Sequence, residues 1–164
     1  MIAILDCDIL STFAKINKIG LLEGLFSKLL MPYAVYIELK RARSLGFDFP
    51  DLVFKSEIEL VTLNTKEVRD FEAFTDTPKI HYGEAEGMSI AKNRNALFLT
   101  NDRQVVTLCE KENIMVLDLK DVLRQIARRK LVSREGMITI LDEIERVDNT
   151  LLRERDDVLK EYEK

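Results

Sequence analysis

Four acidic side chains stand where the surrounding pattern asks for apolar residues or a plain turn. The run Ile2-Ala3-Ile4-Leu5 stops at Asp6, and Ala96-Leu97-Phe98-Leu99 stops at Thr100-Asn101-Asp102. Glu38 follows Val35 by three, precedes Ala42 by four and sits beside Leu39, on the apolar stripe of a helix. Glu84 shares a stripe with Gly87, Met88 and Ala91. Two carboxylates about 4 Å apart repel by roughly 4 kcal/mol at an effective dielectric near 20. A cluster of four therefore raises its own pKa values or takes up a cation. Oxygen ligands without His or Cys favour Mg²⁺ or Mn²⁺. Such a site lowers the pKa of bound water and braces a phosphate during in-line displacement.

The elements that would gather these acids follow from periodicity. Residues 2–6 read as a strand buried on both faces. Helices are expected over Ile9–Lys15 and Leu21–Leu30, a brief strand near Tyr33–Val35, and a helix from there to Arg43. Residues 45–55 read as loop or short helix, 58–63 as a strand and 65–74 as a helix. Asp76-Thr77-Pro78 breaks the chain, and Gly83 opens a helix to Arg94. Strand 96–100, helix 103–112, strand 114–117 and helix 119–127 follow. Strands alternating with helices imply βαβ units and a parallel sheet. The expected fold is thus an α/β three-layer α/β/α sandwich with a central parallel sheet, over residues 1–130. From Ser133, Met137, Ile140, Leu141, Ile144, Val147, Leu151, Val158 and Leu159 recur at helical spacing among charges. Residues 131–164 therefore read as a C-terminal amphipathic helical extension that packs on the domain or on a partner.

In an open parallel sheet, ligands bind beyond the carboxyl ends of the strands where the strand order reverses. If strand 96–100 lies beside a central first strand, Asp6 and Asp102 meet there. Glu86 is rotated about 200° from Glu84 around the helix, toward Ser89 and Asn93, so Glu84 is taken as the inward acid. Asp8, Glu86 and Thr100 are supporting candidates.

The chain has 164 residues, enough for one domain with a real core. It is 46% hydrophobic and 33% charged, with a net charge of −4. That excludes a globally basic nucleic-acid binder but not local basic patches. No apolar run is long enough for a membrane span, and no secretion signal is visible. Cys7 and Cys109 form no CxxC pair and read as two reduced thiols, which fits a cytoplasmic location.

IAILDCDIL, VYIELKRA, GEAEGMSIA and LFLTNDRQV, in this order over about residues 1–127, resemble the four acidic motifs of the PIN domain. The resemblance implies a metal-dependent endoribonuclease using Mg²⁺ or Mn²⁺, with Asp6, Glu38, Glu84 and Asp102 as catalytic and metal-holding acids. It also implies an RNA substrate, subunit pairing as a homodimer and, in the VapC-type toxins that this chain matches in size, an antitoxin partner. The third acid is usually aspartate in that family, and here it is Glu84 with Glu86 nearby.

Lys40, Arg41 and Arg43 after Glu38, and Arg103 after Asp102, are candidates for guiding an RNA backbone. Arg124, Arg128, Arg129 and Lys130 form a second basic group at a helix end. Two other readings compete. Asp6-Cys7-Asp8 resembles the opening of haloacid-dehalogenase-like phosphatases, although Leu10 stands where their threonine belongs. A non-catalytic member would bind RNA or protein through the same fold.

Overall fold

The computed structural model describes residues 1–163. Five parallel strands lie in the order β3-β2-β1-β4-β5. They are β1 (Ile2–Leu5), β2 (Lys28–Pro32), β3 (Glu59–Val61), β4 (Leu97–Leu99) and β5 (Val116–Leu117). β1 is central, with Ala3 opposite Leu29 on one side and opposite Leu97 on the other. The chain winds outward from β1 through β2 to β3, then crosses back to β4 and β5. The order therefore reverses between β1 and β4, where the apolar runs ending in Asp6 and Asp102 were expected to meet.

The period of two along each strand sorts its side chains between two cores. Ala3, Leu5, Leu29, Met31, Leu97 and Leu99 face one core; Ile4, Leu30 and Phe98 face the other. On the first face pack α1 (Cys7–Lys15), α2 (Ile19–Leu25), α3 (Tyr33–Ser44), α4 (Phe49–Phe54) and α8 (Leu119–Arg128). On the second pack α5 (Thr65–Thr75), α6 (Tyr82–Arg94) and α7 (Arg103–Lys111). The result is the expected α/β/α sandwich. α6 lies directly on β4, because a side chain at Gly87 would run into the Phe98 ring. Only glycine permits that approach.

The helix expected at Leu21–Leu30 and the strand expected at Tyr33–Val35 need correction. α2 stops at Leu25, Phe26 turns extended, and Lys28–Pro32 form β2. Tyr33 is already the first residue of α3. A short apolar run such as Leu29-Leu30-Met31 carries no period that separates helix from strand. Pairing with β1 decides it, and Pro32, without an N–H, closes the strand.

The tail folds back on the domain. α9 (Arg134–Val147) buries Met137, Ile140, Leu141 and Ile144, and α10 (Arg155–Leu159) buries Val158, in the same core as α1 and α8. A 3₁₀ turn at Lys160–Glu163 follows. Glu161, 4% exposed, accepts from Arg124 and Arg128 of α8, so much of the second basic group serves to fasten the tail. Among the described residues no helix is long and apolar enough to cross a membrane.

Candidate active site

Asp6 follows the last residue of β1, and its N–H still donates to the Leu99 carbonyl at 3.0 Å, continuing the pairing with β4. Its side chain is fixed at both oxygens. Oδ1 accepts from the Cys7 N–H at 2.7 Å and Oδ2 from the Thr100 hydroxyl at 2.7 Å. The same hydroxyl oxygen accepts from the Asp102 N–H at 3.3 Å. Thr100, fully buried, thus ties the ends of β1 and β4 together across the point of reversal. Asp102 caps α7 through Oδ1, which accepts from Gln104 and Val105.

α6 and α3 bring the two glutamates to this edge. Glu84, 8% exposed, accepts from the His81 N–H at 2.8 Å, which anchors it within the first turn of α6. Glu38 stands on the solvent side of its stripe rather than inside it, and its carboxylate lies over the backbone of Gly83. A Cβ at Gly83 would come within 2.9 Å of Glu38 Oε1. The bare glycine leaves the seat for that oxygen.

The charges at this edge act on one another. Burial pushes the Asp6 carboxyl up to about 7 against its hydrogen bonds to Thr100 and Cys7, and the charges of Asp8 and Glu84 add to the rise. Glu38 is raised by burial and by Asp8, with Cys7 and His81 opposing. Glu84 is raised by burial and by Asp102 and Asp8. None of Asp6, Glu38, Glu84 and Asp102 has a Lys or Arg ion pair among the described residues. The half-buried Cys7 thiol beside Glu38 is held protonated by desolvation and by the neighbouring carboxylates, so the donor set is one of oxygens. That set fits a hard divalent ion. The ligands are not already closed around a point: among the described residues no three such side chains converge at ligating distance. Glu84 Oε1 and Asp102 Oδ2 accept no hydrogen bond among the described residues, which leaves both oxygens available.

The supporting candidates divide. Thr100 binds Asp6 directly. Asp8 is exposed in the first turn of α1 and acts through its charge. Glu86, read from the sequence as a solvated or supporting residue on the side of Ser89 and Asn93, is instead buried at 6% exposure. Its Oε2 accepts from the Ala34 N–H at 2.7 Å. Pro32 precedes α3 and has no side-chain acceptor, so Glu86 supplies the missing cap from another helix. It therefore sets where α3, and with it Glu38, begins. A helix starting straight after a proline was the available signal. Of the basic candidates, Arg43 pairs with Asp51 at 2.8 Å and Lys40 lies over the Tyr36 ring. Arg41 is exposed, and Arg103 points into a cleft beside Asp102.

The DUF3368 family model, a PIN domain, matches residues 2–161. The chain belongs to this PIN-domain family, and the haloacid-dehalogenase-like alternative is left without support. Its fold is similar to VapBC2 from Rickettsia felis, solved bound to a DNA fragment from its promoter, at a TM-score of 0.57 and 17% identity, over 72% of this chain and 98% of that one. It is similar to VapBC-1 from nontypeable Haemophilus influenzae at 0.56 and 16%, over 72% and 98%. A PilT N-terminus domain protein from the archaeon Sulfolobus solfataricus P2 follows at 0.50 and 13%, over 74% and 90%. No curated protein matches the chain.

Proposed function

We propose that this chain is a metal-dependent endoribonuclease hydrolysing RNA phosphodiester bonds, with Asp6, Glu38, Glu84 and Asp102 holding Mg²⁺ or Mn²⁺. The observation that carries the reading is a set of mutually interacting carboxylates, with no Lys or Arg ion pair among the described residues, at the reversal point of a PIN-domain sheet. When bound, the ion would activate a water and offset charge developing on the phosphate. The chain's own part is positional. Thr100 and the Cys7 amide hold Asp6, the His81 amide holds Glu84, Gly83 seats Glu38, and Glu86 fixes the helix that carries it. Likeness to two VapBC structures supports a second element of the proposal, that the chain is the toxin of a toxin–antitoxin pair.

The test is cleavage of single-stranded RNA with Mn²⁺ by wild type and by Asp6→Asn, with Mn²⁺ affinity measured by calorimetry on both. Loss of a metal-holding oxygen should lower activity on the order of 100-fold. Equal cleavage by the two proteins would remove Asp6 from the site. Absence of Mn²⁺ binding in the wild type would favour a non-catalytic member that binds RNA or protein.

A further inference from the structure

A polyanion approaches this chain against a net charge of −4, so a strand must be held by cations not already neutralised. Many of the cations near the domain's surface are committed. Arg94 pairs with Glu67, Lys92 with Asp70 and Glu112, Lys15 with Asp148, and Arg43 with Asp51. Arg103, Lys120 and Arg153 form no ion pair among the described residues, and all three line one cleft of about 620 Å³. Its lining includes Asn101 and Arg103, the two residues that flank Asp102. The C-terminal extension walls its other side. Val106, Leu151 and Leu152 supply its accessible apolar surface, since Leu119, Leu123 and Leu141 behind them belong to the buried core.

The acids of the cleft are weaker opponents than their number suggests. Asp118 accepts from the Asp121 N–H at the start of α8, and Asp148 is held by Lys15 and Thr12. Asp118 keeps its charge despite that cap, as does Glu154, and Arg155 is fixed by Asp142 and Glu145. Among the described residues, three cations without an ion pair, Arg103, Lys120 and Arg153, face two such acids, Asp118 and Glu154, in a cleft lined by both neighbours of Asp102.

We propose that this cleft is a nucleotide subsite for the RNA strand adjoining the scissile phosphate. Arg103, Lys120 and Arg153 take its phosphates, and the accessible apolar side chains take ribose and base. The inference rests on the nuclease reading and places the strand on the Asp102 side, away from the α3 cations. Among the described residues no aromatic ring lines the cleft, so base stacking contributes little and base preference there is weak.

The experiment uses the full chain and a fluorescein-labelled single-stranded oligouridylate. Its affinity is measured by anisotropy in EDTA at several salt concentrations, and its cleavage is followed with Mn²⁺. The double variant Lys120→Ala/Arg153→Ala should bind on the order of tenfold more weakly. Its log-affinity against log-salt slope should shrink by about 1.4, two phosphate contacts on a single strand. Mn²⁺ affinity should stay unchanged, and KM should rise more than kcat falls. Full affinity and an unchanged slope in that variant, with an active wild type, overturn the subsite. Salt-dependent binding lost in the variant, with no cleavage by the wild type, keeps the cleft and overturns the nuclease reading. A wild type that binds no oligonucleotide overturns the subsite outright and leaves the cleft to a protein segment.

Discussion

Glu67 and Asp6 are both buried carboxylates, at 0% and 6% exposure, yet the chain surrounds them in opposite ways. Glu67 accepts from the Arg94 guanidinium through both oxygens and from the Asn64 N–H. Burial raises its pKa, but those donors outweigh burial and hold it below the usual carboxylate range. Glu161 is clamped similarly by Arg124 and Arg128. Asp6 has only a hydroxyl and one amide for donors, and more acids nearby. A buried charge left without its counterion is costly, so such an arrangement persists where something else completes it. The paired carboxylates hold elements together. Those of the candidate site, which have no Lys or Arg ion pair among the described residues, leave room for a cation.

The difference can be tested from its largest consequence downward. Asp6 titrates near 7 in the folded chain against an ordinary value of 3.8. Between those values the folded chain keeps a proton that the unfolded chain has released. Its contribution to metal-free stability is therefore full below about pH 4 and lost as pH rises through about 7. Asp6→Asn abolishes that loss because the amide carries no charge: its Oδ1 keeps the Cys7 N–H, and the Thr100 hydroxyl, which donates to Oδ2 in the wild type, turns to accept from Nδ2. Urea unfolding in EDTA should find the variant more stable than wild type at pH 8, by up to about 4 kcal/mol. At pH 4 the two should differ little. A saturating divalent ion should close the gap, because it stabilises only the wild type. A wild type whose stability is flat across this window would dissolve the contrast with Glu67.

Arg94→Ala should act with the opposite sign, stranding Glu67 and costing about 3 kcal/mol at neutral pH. Mn²⁺ affinity, measured by calorimetry, should not change. Coupling between the two would mean that the structural and metal-holding carboxylates are not separate sets.

Gly83→Ala should separate site from scaffold more finely. The atom a methyl group would meet first is the end of the flexible Glu38 side chain, 2.9 Å away. The helix should gain up to about 1 kcal/mol from alanine, while Mn²⁺ affinity should fall roughly tenfold. A thermal melt without metal and a Mn²⁺ titration check the two halves. Glu86→Ala should have the smallest effect, about 1 kcal/mol for the lost cap on α3. Its Mn²⁺ affinity should fall less than that of Gly83→Ala, a ranking the same titration reads directly.

Strand patterns and acid positions were legible because each depends on neighbours in sequence. Ile2–Leu5 and Ala96–Leu99 are apolar on both faces, as strands covered by helices must be. The rotation of Glu86 away from Glu84 followed from helical geometry alone. Lys28–Pro32 was misread because its conformation is set by pairing with Ile2–Ile4, twenty-six residues away in register. The basic residues misled for a related reason. Arg43 looks available beside Glu38 in sequence, but Asp51 of α4 neutralises it. Arg153, distant from every motif, joins Arg103 in the cleft only because the tail folds back.

The order of residues by itself determined a parallel α/β sandwich, the two strands that end in aspartate and the helices that carry the glutamates, since local sterics and periodicity govern those. Tertiary structure alone decided which charges are neutralised. Arg94 finding Glu67, Arg124 and Arg128 finding Glu161, Glu86 reaching the start of α3, and Asp6 meeting Thr100 but no Lys or Arg among the described residues all depend on contacts between distant segments. Electrostatic partnership is a matter of ångströms through space, and the chain's linear spacing does not encode it.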